Sequence, residues 1–421
     1  MTEERNWAGN YAYSAKKILY PETVDQAREV VAKAQKVRTL GSRHSFNGIA
    51  DSPDCLVSLK NMPETISFDF EKRTVTVAGG VKYGELGNAM HARGFALHNL
   101  ASLPHISIAG ACATATHGSG VRNGNLATGV SALEIITANG ELKTISKEGD
   151  GELFHGSVVG LGALGVVTKI TLDLLPTFEV RQDVYENLLL SQLERNYDEI
   201  ISSAHSVSLF TDWTGAKFDQ VWLKSRMADG FAYGEEQNFF GATRASIPIH
   251  PIRSESAASC SQQLGVPGPW HERLPHFRMD FTPSSGEELQ SEYFVPRERG
   301  LEALRAVFAL NEQISPLIMI SEVRTIARDS FWMSPCYRQD SLAIHFTWKN
   351  DWESVEKVLP LIEANLAPFD ARPHWGKLFT MQPLKLRSLY SRLPDFAQLL
   401  ASLDPNQKFR NPFLESRLFS G

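Results

Sequence analysis

Residues 160–165 read Gly-Leu-Gly-Ala-Leu-Gly, and the segment after them is a β-branched run, Val166-Val-Thr-Lys-Ile-Thr-Leu-Asp-Leu174. A G-x-G-x-x-G spacing cradles a pyrophosphate only where a strand precedes the glycines and a helix follows, because the helix N-terminus supplies the amides that meet the charge. Here a strand follows. The doubly wound dinucleotide fold is therefore excluded as the reading of this segment. It is expected instead to be a glycine connection between a short helix and a strand, still able to touch a ligand. The chain contains neither a G-x-x-x-x-G-K-[ST] loop nor an H-E-x-x-H pair.

The residues upstream have an α+β texture. Thr23-Val-Asp-Gln26 has the form of a capping box, and apolar residues at 24, 27, 30, 31 and 34 predict a helix over about 23–35. Strands are expected at 37–40, 55–59, 73–78 and 166–174, a helix at 83–93 closed by Gly94, and a hairpin of 130–137 with 141–145 about Asn139-Gly140. Beyond about residue 178 the texture changes. Aromatic strands at 206–213, 220–224, 317–324 and 342–348 are separated by long loops, with helical patterns near 298–313 and 352–365. At 421 residues the chain is too long for one core. We expect a first domain over 1–178 joined by the tail 395–421, and a second over 179–394.

A hydrophobic fraction of 43% with 21% charged residues is that of a globular protein, and a net charge of −6 offers no basic field for nucleic acid. The start, Met1-Thr-Glu-Glu-Arg-Asn-Trp7, is unlike a secretory signal, and no apolar run suits a bilayer, so a cytoplasmic protein without membrane association is expected. Cys55, Cys112, Cys260 and Cys336 are widely spaced, which points to buried, reduced thiols. His271, Glu272 and His276 fall in a proline-containing segment without open-site zinc spacing, so a structural loop and no metal are expected there.

Two constellations carry chemistry. The first joins Leu40-Gly-Ser-Arg-His-Ser-Phe46 to the small-residue segment 102–124, where glycines and hydroxyls let backbone approach a large ligand closely. Amides at Gly41 with the Ser42 and Ser45 hydroxyls suit phosphate. His44 adds a ring nitrogen that is nucleophilic when neutral and can bond to an electrophilic cofactor carbon. The second is Glu322 with Arg324 and His345 with Thr347, each pair two apart and so on one face of its strand. If those faces meet, a polar pocket forms.

In order, Arg38-x-x-Gly41-x-x-His44-Ser45, Ala101-Ser-Leu-Pro-His-Ile-Ser-Ile-Ala-Gly110, Ala115-Thr-His-Gly-Ser-Gly120 and Leu161-Gly-Ala-Leu-Gly-Val-Val167 resemble the vanillyl-alcohol-oxidase type of FAD domain. Downstream, Gly268-Pro-Trp-His-Glu-Arg-Leu-Pro-His-Phe277, Gln290-Ser-Glu-Tyr-Phe294, Ser321-Glu-Val-Arg-Thr325, His345-Phe-Thr-Trp348 and His374-Trp-Gly-Lys377 resemble the sugar-lactone and alditol oxidase branch, so that the likeness runs nearly end to end. The resemblance implies a two-domain, PCMH-type α+β fold, with an FAD-binding domain and a substrate cap built on a large antiparallel sheet. It implies FAD linked covalently through His44 to the flavin 8α-methyl carbon. Gly41, Ser42, Arg43, Ser45, Ser102, Ser107, Gly110, Thr114, His117, Gly118, Ser119 and Val167 would surround the cofactor, with His117 either bonding to the flavin or packing in its turn.

The same resemblance places Ser102, Glu322, Arg324, Thr347 and Lys377 on a polyol substrate. It gives catalytic roles to Arg324, Lys377, Glu322 and His345. Arg324 and Lys377 suit the negative charge that develops as hydride leaves, while Lys377, Glu322 and His345 all stand open as the base. The implied activity is oxidation of the terminal hydroxyl of alditols such as xylitol or sorbitol to an aldose, with O2 as acceptor and hydrogen peroxide as product. An aldonolactone oxidase or dehydrogenase on the same scaffold is the rival, and a flavin-free carbohydrate-binding protein is the rival from another class. No obligate protein partner is evident.

Overall fold

Thr23 begins the first helix, Val24–Lys33, with its hydroxyl accepting from the Gln26 N–H at 3.2 Å. The reciprocal arm of the expected capping box is displaced by one residue, since Gln26 Oε1 accepts from the Glu22 N–H at 2.7 Å rather than from Thr23. The computed structural model describes residues 4–229, 236–281 and 288–419. The first three residues of the polar start and the last two of the tail lie outside them.

The small strands Lys17–Leu19 and Val37–Thr39 flank Cys55–Val57 in a parallel sheet. A second, five-stranded antiparallel sheet runs in the order Ile66–Asp69, Thr74–Ala78, Val166–Asp173, Val130–Ile136, Leu142–Ser146. Its hairpin turns at Gly140, whose φ of 84° explains the Asn-Gly signal. The glycine segment 160–165 links the helix Lys147–Ser157 to the strand Val166–Asp173, as its failed dinucleotide context predicted. Gly162 and Gly165 take positive φ there, at 66° and 152°.

After Leu174 the chain enters a ten-stranded sheet. Its middle runs Glu179–Leu189, Lys217–Arg226, Ser206–Thr211, Ile318–Ile326, Ser341–Lys349, Glu288–Pro296, all antiparallel neighbours. Two of these strands, Glu179–Leu189 and Glu288–Pro296, were not anticipated. The helix expected near 298–313 is broken, running Gly300–Phe308 and resuming at Asn311–Ile314. The helix Trp352–Leu366 matches its periodicity and accommodates Pro360.

One face of this sheet is apolar. Trp213, Trp348 and Phe346 are fully buried there, and the indole N–H groups of the two tryptophans donate to Ser321 Oγ (2.7 Å) and Ser291 Oγ (2.9 Å). Each buried aromatic contributes about 1.5–3 kcal/mol, and the paired indoles avoid the cost of an unmet donor. With that face committed to packing, alternation turns Glu322, Arg324, His345 and Thr347 the other way.

The tail returns to the first sheets. Lys408 C=O accepts from the Val37 N–H at 2.9 Å, and Asn411 Nδ2 donates to the Asp51 carbonyl at 2.7 Å. All four cysteines are buried and free, as their spacing suggested. Among the described residues no helix is long and apolar enough to cross a membrane.

Candidate active site

A cavity of about 990 Å³ opens where the small-residue segments meet the polar face of the large sheet. Gly41, Ser42, Arg43, His44, Ser45, Ser102, Ser107, Gly110, Thr114, His117 and Val167 all line it. Gly118 and Ser119 do not. Gly118 packs so closely on Asn99 and the Leu100 carbonyl that a Cβ would lie 2.4 Å from that oxygen, and the Ser119 hydroxyl donates to the Val207 carbonyl. Gly118 thus seats the segment on Asn99 and Leu100, Ser119 ties it to the large sheet, and the wall is left to their neighbours.

The glycine turn and the helix Ile108–Ala113 are joined by serines. The Ser107 N–H donates to Ser42 Oγ at 3.0 Å. A Cβ on either Gly41 or Gly110 would meet Ser107 Oγ at 2.8 Å, so a side chain at either position would displace the Ser107 hydroxyl. Below it, Arg38 is buried. Its guanidinium donates to the carbonyls of Leu161 (2.6 Å), Phe409 (2.9 Å) and Ile49, and burial depresses its pKa to about 9. That one side chain ties the glycine connection at 160–165 to the tail.

His44 stacks on Trp7 with ring centroids 5.2 Å apart. Its two ring nitrogens are shielded from solvent, and neither makes a well-formed hydrogen bond, the Ser42 backbone being their one weak contact. Burial first, then the charges of His105 and Lys82, push its pKa down to about 4. The ring is thus neutral and carries an uncommitted lone pair beside the cavity. An orphaned buried nitrogen is costly unless something meets it, and a carbon electrophile of a bound cofactor would do so. Together with the glycine and serine walls, these residues fit FAD. Hydrogen bonds to backbone carbonyls hold the His44 turn against the far side of the site: Phe46 N–H donates to that of Gly376 (2.7 Å), and Asn47 Nδ2 to those of Trp375 (2.9 Å) and Lys377 (2.7 Å).

The polar constellation does meet, and the reason is register. Glu322 and Glu292 each sit directly opposite His345 on its two neighbouring strands, forming the row Glu292, His345, Glu322. Thr347 lies one pleat away, opposite Gln290. Lys377 Nζ reaches in from the loop after Arg372–Pro373, 2.7 Å from Glu292 Oε2 and 2.8 Å from His345 Nδ1. Arg324 Nη2 lies 3.2 Å from Glu292 Oε1, and its Nη1 donates to Ser102 Oγ at 3.2 Å. His345 Nε2 lies 3.0 Å from Thr347 Oγ1, which sets the ring as donor there and acceptor from Lys377.

Glu292 is the hub that sequence reasoning missed. It is 1% exposed, and His117 Nε2 approaches its Oε1 at 3.2 Å, so that His117 faces this carboxylate as it lines the cavity. Burial alone would raise the Glu292 pKa, but Lys377, His117 and Arg324 outweigh it and hold the group well below the usual carboxylate range. Glu322 is likewise held low against burial by Arg324 and His276. Burial pulls His345 well below the ordinary imidazole value, with Lys377 adding to it, and lowers Lys377 itself. His276, expected to belong to a purely structural loop, lines the cavity with its Nε2 2.7 Å from Glu322 Oε1. His271, of the same segment, lies elsewhere, its ring tilted against that of His91 with centroids 5.0 Å apart.

The family model for an FAD binding domain matches residues 15–146, and that for D-arabinono-1,4-lactone oxidase matches residues 284–417. The chain is 48% identical over 421 residues to the alditol oxidase of Streptomyces sp. (strain IKD472 / FERM P-14339), covering 99% of each. It is 29% identical to the L-gulono-1,4-lactone dehydrogenase of Mycobacterium tuberculosis (strain ATCC 25618 / H37Rv) over 97% of each, and 26% identical to the L-gulonolactone oxidase of Bos taurus over 98% of this chain and 97% of that one. Its fold superposes on a solvent-stable cholesterol oxidase with a TM-score of 0.78 at 14% identity, over 98% of this chain and 97% of the other. Fold and cavity define an FAD-dependent oxidoreductase with the two-domain α+β architecture of the vanillyl-alcohol-oxidase type. Within that class the chain belongs to the alditol oxidase family.

Proposed function

We propose that this protein oxidises the terminal hydroxyl of small alditols such as xylitol or sorbitol to the aldose, with FAD carried covalently on His44. The observation that carries this reading is the row Glu292, His345, Glu322 with Arg324, Lys377, Thr347 and Ser102 around it, an array of alternating donors and acceptors on one buried face. A substrate made of hydroxyls meets both kinds of partner, and a site built so discriminates against analogues that lack an OH.

When bound, FAD supplies the hydride acceptor and passes the electron pair on to O2, giving hydrogen peroxide. The side chains do the rest. Glu322, Thr347 and Ser102 hold hydroxyls along the substrate. Arg324 and Lys377 set positive charge where the substrate oxygen becomes negative, the kind of preorganised field that contributes most to such steps. Glu322 is too acidic in this setting to serve as the base. Burial lowers the pKa of Lys377, and its Nζ, 2.8 Å from His345 Nδ1, takes the hydroxyl proton as a neutral amine; the ammonium so formed is the positive charge that Lys377 sets beside Arg324. Two domains, 1–178 with 395–421 and 179–394, divide cofactor from substrate.

The match of the lactone oxidase family model over residues 284–417 favours a second reading, oxidation of a sugar lactone on the same cavity. A peroxide assay with xylitol, sorbitol and a sugar lactone separates them: we expect peroxide with the alditols, and peroxide with the lactone alone overturns the proposal. Acid precipitation tests the linkage. The wild-type pellet stays yellow and that of His44→Ala is colourless, whereas colour left in the wild-type supernatant would remove the covalent link.

A further inference from the structure

Behind the acceptor row lies a buried cation that the chemistry above does not use. Lys224 is 1% exposed in the strand Lys217–Arg226, two strands from Glu322. Its Nζ meets the carbonyls of Leu274 (2.6 Å) and Pro275 (2.8 Å) and His276 Nδ1 (3.0 Å), three acceptors that match the three N–H donors of an ammonium and hold that form against the burial that pulls its pKa down to about 7. His276 is 5% exposed, with the rings of Trp222 and Phe210 edge-on at 5.2 and 5.7 Å. With Nδ1 accepting from Lys224, the neutral ring carries its proton on Nε2, which donates to Glu322 Oε1 at 2.7 Å. Burial and the neighbouring ammonium push His276 down to about 4, so the ring stays neutral. Arg324 Nε also faces Oε1, at 3.5 Å. Oε1 of Glu322, a residue that lines the cavity, thus takes both of these contacts, and Oε2 takes neither.

We propose that Lys224 and His276 are a positioning pair for Glu322: the lysine holds the ring of the histidine, the histidine fixes the carboxylate, and Oε2 is thereby aimed at a substrate hydroxyl. The pair takes no part in hydride or proton transfer. The proposal rests on reading the cavity as the polyol site. Glu322 accepts from Nε2 and Lys224 donates to Nδ1, so both ends favour the same tautomer; without the ammonium the Nδ1 end loses its partner and the ring is free to turn Nε2 away from the carboxylate.

The test is steady-state kinetics of the holoenzyme with xylitol for His276→Gln, His276→Asn and Lys224→Met, with His276→Asn repeated in a Glu322→Gln background. Glutamine keeps an N–H near the position of Nε2, whereas asparagine does not reach it. A lost hydrogen bond to a charged group corresponds to roughly ten-fold or more in affinity. We therefore expect KM to rise at least about ten-fold in His276→Asn and Lys224→Met with kcat within about three-fold, and His276→Gln to stay near the wild type. In the Glu322→Gln background the His276→Asn effect on KM vanishes. Wild-type KM in His276→Asn, equal losses in the asparagine and glutamine variants, or an undiminished effect without the carboxylate each overturns the proposal. If Lys224→Met does not fold, the His276 series decides alone. If the wild type turns over a lactone and no alditol, the functional reading falls, and the same KM ratios read with that lactone still decide the pair.

Discussion

Glu292 holds Lys377, Arg324 and His117 in place at the centre of the cavity, and it contributes as much to the fold as to the chemistry. Replacing it with glutamine leaves three basic groups around a neutral amide. Removing one partner of a buried ionic cluster costs about 3–5 kcal/mol, because the surviving charges stay buried. Glu292→Gln is therefore expected to lower the thermal midpoint clearly and to reduce kcat/KM by roughly 100-fold or more, the scale of lost transition-state electrostatics; a wild-type melting curve would contradict this. A second residue-scale expectation follows from His205 and His276, both held near a pKa of 4 chiefly by burial. The unfolded chain takes up these protons as pH falls through about 6.5, and the folded protein only near 4. Stability is thus full above about 6.5 and declines between 6.5 and 4, which thermal melts across that window would show. Sequence reasoning named Arg324, Lys377, Glu322, His345, Thr347 and Ser102 by likeness, and the structure brings them together. It passed over Glu292 because that residue's partners are remote, Lys377 lying 85 residues along the chain.

At the scale of elements, legibility followed locality. The hairpin at Asn139-Gly140 and the helix from Thr23 were readable because turn and cap chemistry is contained in a few consecutive residues. The strand Glu288–Pro296 was not, since both its faces are buried and the period-two contrast that marks a half-exposed strand is weak. The loop carrying Lys377 likewise has no periodicity of its own and takes its position from Asn47 together with backbone bonds from His374 and Leu378 to the strand Glu288–Pro296. Asn47→Ala leaves the Trp375 and Lys377 carbonyls without their donor, at a cost of about 1–3 kcal/mol. Because the lysine hangs on that bond, kcat/KM for the alditol should fall by more than the stability loss explains; activity unchanged at a temperature where the variant is folded would contradict the clamp. Gly79 sets a harder limit. A Cβ there would lie 2.1 Å from the Val167 carbonyl, so Gly79→Ala should not yield the holoenzyme, as its visible spectrum would reveal.

Across the whole molecule, the tail bonds to the first sheets, so that the first domain we propose is discontinuous in sequence. Residues 1–178 alone leave Arg38 without its Phe409 acceptor and Asp51 C=O without Asn411, whereas 1–178 fused through a short linker to 395–421 restores both. We expect cooperative thermal unfolding from the fusion and none from 1–178 alone; equal behaviour of the two would show that the tail is dispensable. This arrangement also orders events in the life of the chain. Arg38 and Phe409 are 371 residues apart. A ribosome delivers at about 5–20 residues per second, so the floor of the cofactor cavity stays open for tens of seconds after its first half has been made. Flavin capture is therefore a step that waits for the segment carrying Phe409 and Asn411, and a stop codon ahead of Phe409 would yield colourless protein even though every residue that lines the cavity had been synthesised.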